Sequence, residues 1–448
     1  MDKQAPLVQA LMVVVSLAAA SPPAAIAQPF GGLTETLVEH RVPLASVVVT
    51  IDEATHSATY RRRGGPVAAN DAVTDRAPVF EAASLGKVVT AYLVHRLVDA
   101  GAVDLDEPVA PYLEPEWTEH DGAEEITLRM LLSHTAGYGN GIVPLDRAVY
   151  DEPGTRFRYS GVGYVAVMHV LEQRTGRRFQ TLAEERVFTP LGMSSSSFVT
   201  NRALLSRKVA PHVSARTALA VVAIPAAALL ALGFLGTLAV TRIRKRRGMV
   251  RSLRTPLVIG AALLQTVLFI VIAPRFLPIH AAVWGATLAG AVATRLIFEK
   301  GWIGTAVVAA SVALVVLFAG DTQVPLRPDA IRQPNAAYTF HTTGDDLSRF
   351  AQALMQDFHE PYLRPLFTPQ VAVDDHISWA AGLGIEQRDG RTLYWHWGSN
   401  MGFKSLLVID PAQRTTSVVL TNGETGLAVA HQIAGQVHGA EFRLRLPE

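Results

Sequence analysis

Residues 81–101 read EAASLGKVVTAYLVHRLVDAG, which sets Ser84 and Lys87 three apart on one predicted helix. A serine hydroxyl is a weak nucleophile until a base takes its proton. Lys87 lies one turn further on and projects from the same helix face as Ser84. It acts as that base only if burial or a neighbouring cation brings its ammonium towards neutrality. Ser84 falls at the start of the predicted helix, where free backbone N–H groups and the dipole favour negative charge. An oxyanion developing beside Ser84 is such a charge. Taken alone, Ser-x-x-Lys is also the pattern of a solvated helix lysine on a half-apolar helix.

Other chemistries find little support. The chain has no cysteine, which excludes disulfides, a thiol nucleophile and thiolate metal sites. No HExxH pair, Gly-rich phosphate loop or paired-carboxylate pattern stands out, so neither a metal nor another cofactor is expected. The net charge of +1 gives no case for nucleic-acid binding.

The elements that must position Ser84 and Lys87 follow from periodicity. Leu85, Val88, Val89, Tyr92, Leu93 and Leu97 recur at helical spacing, and Gly101 is a natural stop. Upstream, LASVVVTIDEATHSATYRRRG reads as a hairpin, a β-branched run followed by a polar turn and an alternating run. Downstream, TLYWHWG, SLLVIDP and TSVVLTN read as strands, and a last helix is expected over 427–438. Strands at both chain ends around a helical middle predict an α+β fold in which the terminal strands share one sheet.

With 448 residues, the chain is long enough for two or three structural units. Apolar residues make up 49% and charged residues 18% of it, and the mean hydropathy is positive. A mixed soluble and membrane protein fits that balance. Four apolar runs, over 217–241, 256–273, 281–298 and 302–320, each approach the ~20 residues that cross a bilayer. Arg295 lies near one end of the third run, where it can snorkel to the interface. The loop TRIRKRRGMVRSLRT holds seven basic residues and no acidic one, which predicts that it faces the cytoplasm. Four crossings return the chain to its starting side, so the flanking pieces can build one domain. At the N-terminus, Lys3, the apolar stretch LVQALMVVVSLAAA and the small residues of AIA read as a secretory signal, with an uncleaved anchor helix as the alternative. The expected organisation is a signal over 1–27, one domain from 28–210 and 325–448, and a four-helix transmembrane insert over 211–324. That makes a multi-pass membrane protein with its domain outside the cytoplasm and the lipid bilayer as a partner.

Further motifs occur in order. SLGK spans 84–87 and is followed by GAVDLDEPVAPYL, ITLRMLLSHTAGY, PGTRFRYSGVGY at 153–164, PLGMSSSSF, TTGDDLSRFAQAL and HWGSNMGFKSLLVIDP. Together they resemble the serine β-lactamase and penicillin-binding-protein superfamily, in the branch of class C β-lactamases, D-Ala-D-Ala carboxypeptidases and β-lactamase-like esterases. The resemblance covers about residues 30–205 and 333–440. It implies an antiparallel sheet flanked by helices plus an all-α subdomain. Members generally lack membrane helices, so the insert is peculiar to this chain.

The resemblance also implies roles for particular residues. Ser84 is the nucleophile and Lys87 its base. Tyr159 matches the Tyr of the Tyr-x-Asn motif and shuttles protons with Lys87. His396 stands where the family carries Lys or His; it polarises Tyr159 or, protonated, binds a substrate carboxylate. The N–H groups of Ser84 and Ser399 form the oxyanion hole, and Trp397 and Gly398 line the substrate, with Gly398 admitting its backbone. Gly161 departs from the motif, because it replaces an Asn and offers no carboxamide. That departure is expected to favour esters over β-lactams and D-Ala-D-Ala peptides. The leading expectation is a membrane-embedded serine hydrolase that forms an acyl-enzyme with a small-molecule or peptide ester or amide. The alternative is a catalytically weak module that binds or senses cell-wall fragments and is coupled to membrane helices.

Overall fold

The computed structural model describes residues 32–61, 77–141, 145–214, 217, 323–325, 330–331, 333–388 and 390–439. The expected signal segment lies outside the described residues, as do the four apolar runs except for Thr217. Among the described residues no helix is long and apolar enough to cross a membrane.

These residues fall into two compact units. The larger takes the chain up to Val209 and again beyond residue 330. Its helices are α1 (Leu33–Glu39), α2 (Leu85–Asp99), α3 (Leu128–Leu132), α4 (Gly161–Thr175), α5 (Phe179–Ala183), α6 (Arg202–Leu205), α7 (Gly344–Gln356), α8 (Arg364–Phe367) and α9 (Gly426–His438). Its strands are β1 (Leu44–Ile51), β2 (Ala54–Arg61), β3 (Phe80–Ala83), β6 (Phe340–Thr342), β7 (Val371–Ala372), β8 (Ile377–Trp379), β9 (Gly384–Arg388), β10 (Arg391–Asn400), β11 (Phe403–Asp410) and β12 (Thr415–Thr421). The smaller unit shows one ladder, in which β4 (His212–Ser214) pairs antiparallel with β5 (Gln323–Pro325), Ser214 opposite Gln323.

Eight strands form one antiparallel sheet in the order β2-β1-β12-β11-β10-β9-β8-β7. The N-terminal hairpin and the C-terminal strand meet as expected, with Ala45 opposite Thr421 and Ile51 opposite Thr415. The runs SVVV, SLLVI and SVVL are continuously apolar because the sheet is covered on both faces. Leu44, Val48, Leu407, Ile409 and Val418 join the larger core, while Val47, Val49, Leu406, Val408 and Val419 join the smaller one. Val429 and Ile433 of α9 pack into that second core, as do Leu33 and Leu37 of α1.

Helix α2 runs through the larger core and is buried nearly all round, from Leu85 to His95. The sequence reading made it half-apolar, with a solvated Lys87 as the alternative to a buried one; Lys87 is buried. The correction matters, because a helix without a wet face gives a lysine near its start no water to point into.

Candidate active site

Strand β3 ends at Ala83, which holds φ 51°, and the chain turns there directly into α2. A left-handed alanine costs about 1–2 kcal/mol, and the surrounding structure must enforce it. The turn leaves Ser84 at the N-cap, half-buried, with its hydroxyl facing Lys87. Gly86 is needed where it is, since a Cβ there would lie 2.8 Å from the Phe340 Cβ.

Lys87 is 2% exposed. Its Nζ donates to Ser84 Oγ at 2.9 Å and to the Ala337 carbonyl at 2.8 Å. The rings of Tyr159 and Tyr164 lie 5.0 and 5.7 Å from it. Among the described residues no carboxylate pairs with it. Burial without a counter-ion pushes the Lys87 ammonium down to about 7.

Tyr159 stacks on Trp397, with ring centroids 5.2 Å apart, and approaches His396 at 6.1 Å. Its hydroxyl is buried and has no hydrogen-bond partner among the described residues, although Ser84 is close enough to influence it. Burial raises the phenol pKa, and the interaction with Ser84 offsets only part of the rise. Tyr159 is therefore a neutral phenol that can give a proton, which leaves Lys87 to take one.

His396 is fully buried. Its Nδ1 lies 2.6 Å from the Trp397 carbonyl, so Nδ1 carries the proton and Nε2 is a bare acceptor without a partner among the described residues. Burial, reinforced by the Lys87 charge, pushes the imidazole down to about 3 against the pull of the Trp397 carbonyl. This corrects one expected role. A neutral imidazole offers a substrate carboxylate no charge, and what remains is an acceptor behind Tyr159 and Lys87.

Strand β10 pairs with β9 only as far as Trp395, so His396–Asn400 have a strand neighbour on one side only, β11. Antiparallel alternation leaves the peptide groups of every second residue there without a strand partner. Ser399 lies on this open edge and is exposed. Gly398 has a different cause from the one expected. A Cβ at that position would lie 2.2 Å from the Ala82 carbonyl oxygen and 2.1 Å from Ser405 Oγ. Gly398 lets β3 approach β10 and so sets the spacing between Ser84 and the strand edge. Trp397 is buried in the second core and reaches the site by stacking on Tyr159.

The loop that carries Tyr159 is fixed from several directions. Asp151 receives Arg156 and Arg158. His134, at φ 60°, accepts the Arg158 N–H on its carbonyl at 2.8 Å and the Ser160 N–H on Nδ1 at 3.0 Å. Its ring lies 4.4 Å from that of Tyr159. His134 thus positions Tyr159. Gly161 opens α4, and its N–H donates to Asn140 Oδ1 at 2.8 Å.

Behind the site lies a charged cluster absent from the sequence reading. Lys208 Nζ reaches Glu81 Oε1 at 2.5 Å, and Asn400 Nδ2 donates to Glu81 Oε2 at 2.9 Å and to the Tyr338 carbonyl at 3.1 Å. Burial raises the Glu81 carboxyl, but Lys208, His341 and these hydrogen bonds outweigh it and hold the group below the usual carboxylate value. The cluster ties β3, just before Ser84, to Asn400, just after Ser399.

A buried Ser–Lys pair beside a tyrosine and an open strand edge invites comparison with known proteins. The sequence profile of the Beta-lactamase family matches residues 27–440. The chain belongs to that family. This is the family of serine β-lactamases, penicillin-binding proteins and related esterase-like hydrolases. Penicillin-binding protein 4 of Amycolatopsis lactamdurans is 32% identical over 197 residues, which cover 39% of this chain and 50% of that protein. The chain thus spans about half the length of this curated relative. Esterase EstB of Burkholderia gladioli is 29% identical over 153 residues, covering 27% of this chain and 38% of the esterase. A class C β-lactamase of known structure superposes with a TM-score of 0.58 at 14% identity, covering 94% of this chain and 97% of that one, which shows the fold.

Proposed function

We propose that this member of the β-lactamase family is a serine hydrolase that works through an acyl-enzyme on Ser84. The observation that carries the reading is the Lys87 Nζ to Ser84 Oγ contact of 2.9 Å, made by a lysine whose burial brings it to about 7. In the neutral form, Lys87 takes the Ser84 proton as Oγ forms its bond to the substrate carbonyl carbon. The oxyanion is received by the N–H groups of Ser84 and Ser399, each such donor being worth about 3 kcal/mol. As the tetrahedral intermediate collapses, Tyr159 gives its proton to the leaving group and regains one from the Lys87 ammonium. Water then attacks the ester on Ser84, with Lys87 again as base, and the acid leaves. The relatives' printed names favour an ester or amide of a small molecule or peptide, and the missing carboxamide at Gly161 tips the choice towards esters.

The same reading keeps the domain outside the cytoplasm and tethered by the apolar segment. Its support is the composition of residues 217–320 and the basic loop within it; the pairing of β4 with β5, which brings the two flanks of the segment together, is compatible with an even number of crossings. A fluorophosphonate probe tests the chemistry: wild-type protein is expected to label and Ser84→Ala is not. Failure of the wild type to label would favour a binding or sensing module instead. Reporters fused near residues 248 and 330 are expected to lie on opposite sides of the membrane, and the same side for both would remove the four-crossing topology.

A further inference from the structure

Beyond Trp395 the end of β10 is paired with β11 alone. A ladder on one side holds a strand end less firmly than two. Ser399, whose N–H is one of the two oxyanion donors proposed above, lies on that end. Two contacts from β3 bracket it. On one side, Gly398 lies against the Ala82 carbonyl, with no room for a Cβ between them. On the other, Asn400 meets the side chain of Glu81, which stands three residues before Ser84.

Both hydrogens of the Asn400 carboxamide nitrogen are spent inside the protein. Nδ2 donates to Glu81 Oε2 at 2.9 Å and to the Tyr338 carbonyl at 3.1 Å. Both partners are acceptors, so the nitrogen and not the oxygen must occupy that place. The carbonyl of Ala337, next to Tyr338, takes Lys87 Nζ, so consecutive residues hold the base and Asn400. The backbone carbonyl of Asn400 accepts Lys404 Nζ at 2.9 Å. Lys208 Nζ meets Glu81 Oε1 and leaves Oε2 to Asn400. Only a carboxylate fits between these two donors, because a carboxamide at position 81 would set its own NH2 against one of them.

We infer that Glu81 and Asn400 are positioning residues for the oxyanion hole: through them, the strand that leads into the nucleophile also fixes the separation of the Ser84 and Ser399 N–H groups. The inference rests on the hydrolase reading above. Oxyanion donors act on charge that develops in the transition state, so a displaced Ser399 N–H costs turnover and spares substrate binding.

The test uses p-nitrophenyl acetate, with active sites counted by fluorophosphonate labelling carried to completion. In Asn400→Ala, kcat per labelled site is expected to fall about 10- to 100-fold, the scale of a donor misplaced by about 1 Å, with KM within about twofold of wild type. Glu81→Gln should show the same split. Combining Glu81→Gln with Asn400→Asp reverses the direction of the bond, with the new carboxamide donating to the new carboxylate and its oxygen left for Lys208. That exchange should recover part of the kcat lost in Glu81→Gln, which a merely destabilised fold would not do. An unchanged kcat per labelled site in Asn400→Ala, whatever its melting temperature, would overturn the assignment, as would an exchange variant no faster than Glu81→Gln. In both cases wild-type labelling would still uphold the hydrolase. If the wild type neither labelled nor cleaved the ester, the hydrolase reading would fail and this inference with it.

Discussion

Two lysines of this domain are equally hidden from water and live in opposite electrostatic settings. Lys87 is 2% exposed and faces a serine hydroxyl, a carbonyl and two aromatic rings. Lys208 is 0% exposed and meets the Glu81 carboxylate. Desolvation disfavours an ammonium in both places, but only Lys208 has an anion to offset it. Burial alone is therefore not what distinguishes a reactive lysine from a structural one. The missing counter-ion is, and at Lys87 it leaves the ammonium depressed to about 7, which is what the proposed base requires.

The largest expected effect separates the two by activity. Ser84→Ala should abolish covalent labelling, and Lys87→Ala should slow acylation by at least about 100-fold, the low end for loss of general-base help. Lys87→Arg should not rescue it, since a guanidinium does not give up its proton. A labelled Ser84→Ala protein would name another nucleophile and dissolve the comparison.

Stability should separate them with the opposite sign. Lys208→Met leaves a buried carboxylate without its cation and should cost about 3–5 kcal/mol in denaturant unfolding. Lys87→Met removes an unpaired ammonium and should be neutral or stabilising at pH 7. Equal losses in the two variants would show that Lys87 has a counter-charge after all.

Titration sharpens the contrast further. The Lys87 pKa is depressed from 10.5 to about 7 on folding, so between those values the unfolded chain holds a proton that the folded chain does not. Stability should therefore climb as pH rises through that window, by up to about 1.4 kcal/mol per pH unit, and level off below about 7. Lys87→Met should lose that climb. The acylation rate should rise with pH around an inflection near 7 as the neutral amine appears; a flat profile from pH 6 to 8 would remove Lys87 as the base.

The last contrast concerns acid. Burial pushes His95 down to about 4 and His396 and His438 to about 3, each from 6.5. Below pH 6.5 the unfolded chain takes up protons that these imidazoles refuse, so stability should fall from there towards pH 3–4. His396→Gln should make that fall shallower. An identical slope in wild type and His396→Gln would mean that His396 reaches water in the folded protein.

Ser84, Lys87, Tyr159 and His396 were legible in the sequence because their types and order carry chemistry. The terminal hairpin and the strands of β10 to β12 were legible from period and turn residues, as was the last helix. What was not legible lies in contacts between distant parts of the chain. Glu81 and Lys208 look like ordinary surface charges until the fold sets them 2.5 Å apart. The Asn140 contact depends on a backbone N–H that has no letter in the sequence. Gly398 is flexible in appearance, yet its cause is the Ala82 carbonyl, which belongs to another strand. The charge state of His396 follows from complete burial, which periodicity along one strand does not convey.

The short β4–β5 ladder has a consequence for engineering and descent. Because Ser214 and Gln323 face each other, residues 215–322 begin and end at one point. A stretch pinned at its base adds closure entropy only as the logarithm of its length, so its size weighs little on the folding of the rest. Such a stretch can be gained, lost or exchanged as a cassette. A two-residue Asn-Gly connection, the turn that closes the tightest antiparallel hairpins, has the reach to rejoin the two strands in its place. The stretch between the two strands and the rest of the chain can thus change independently.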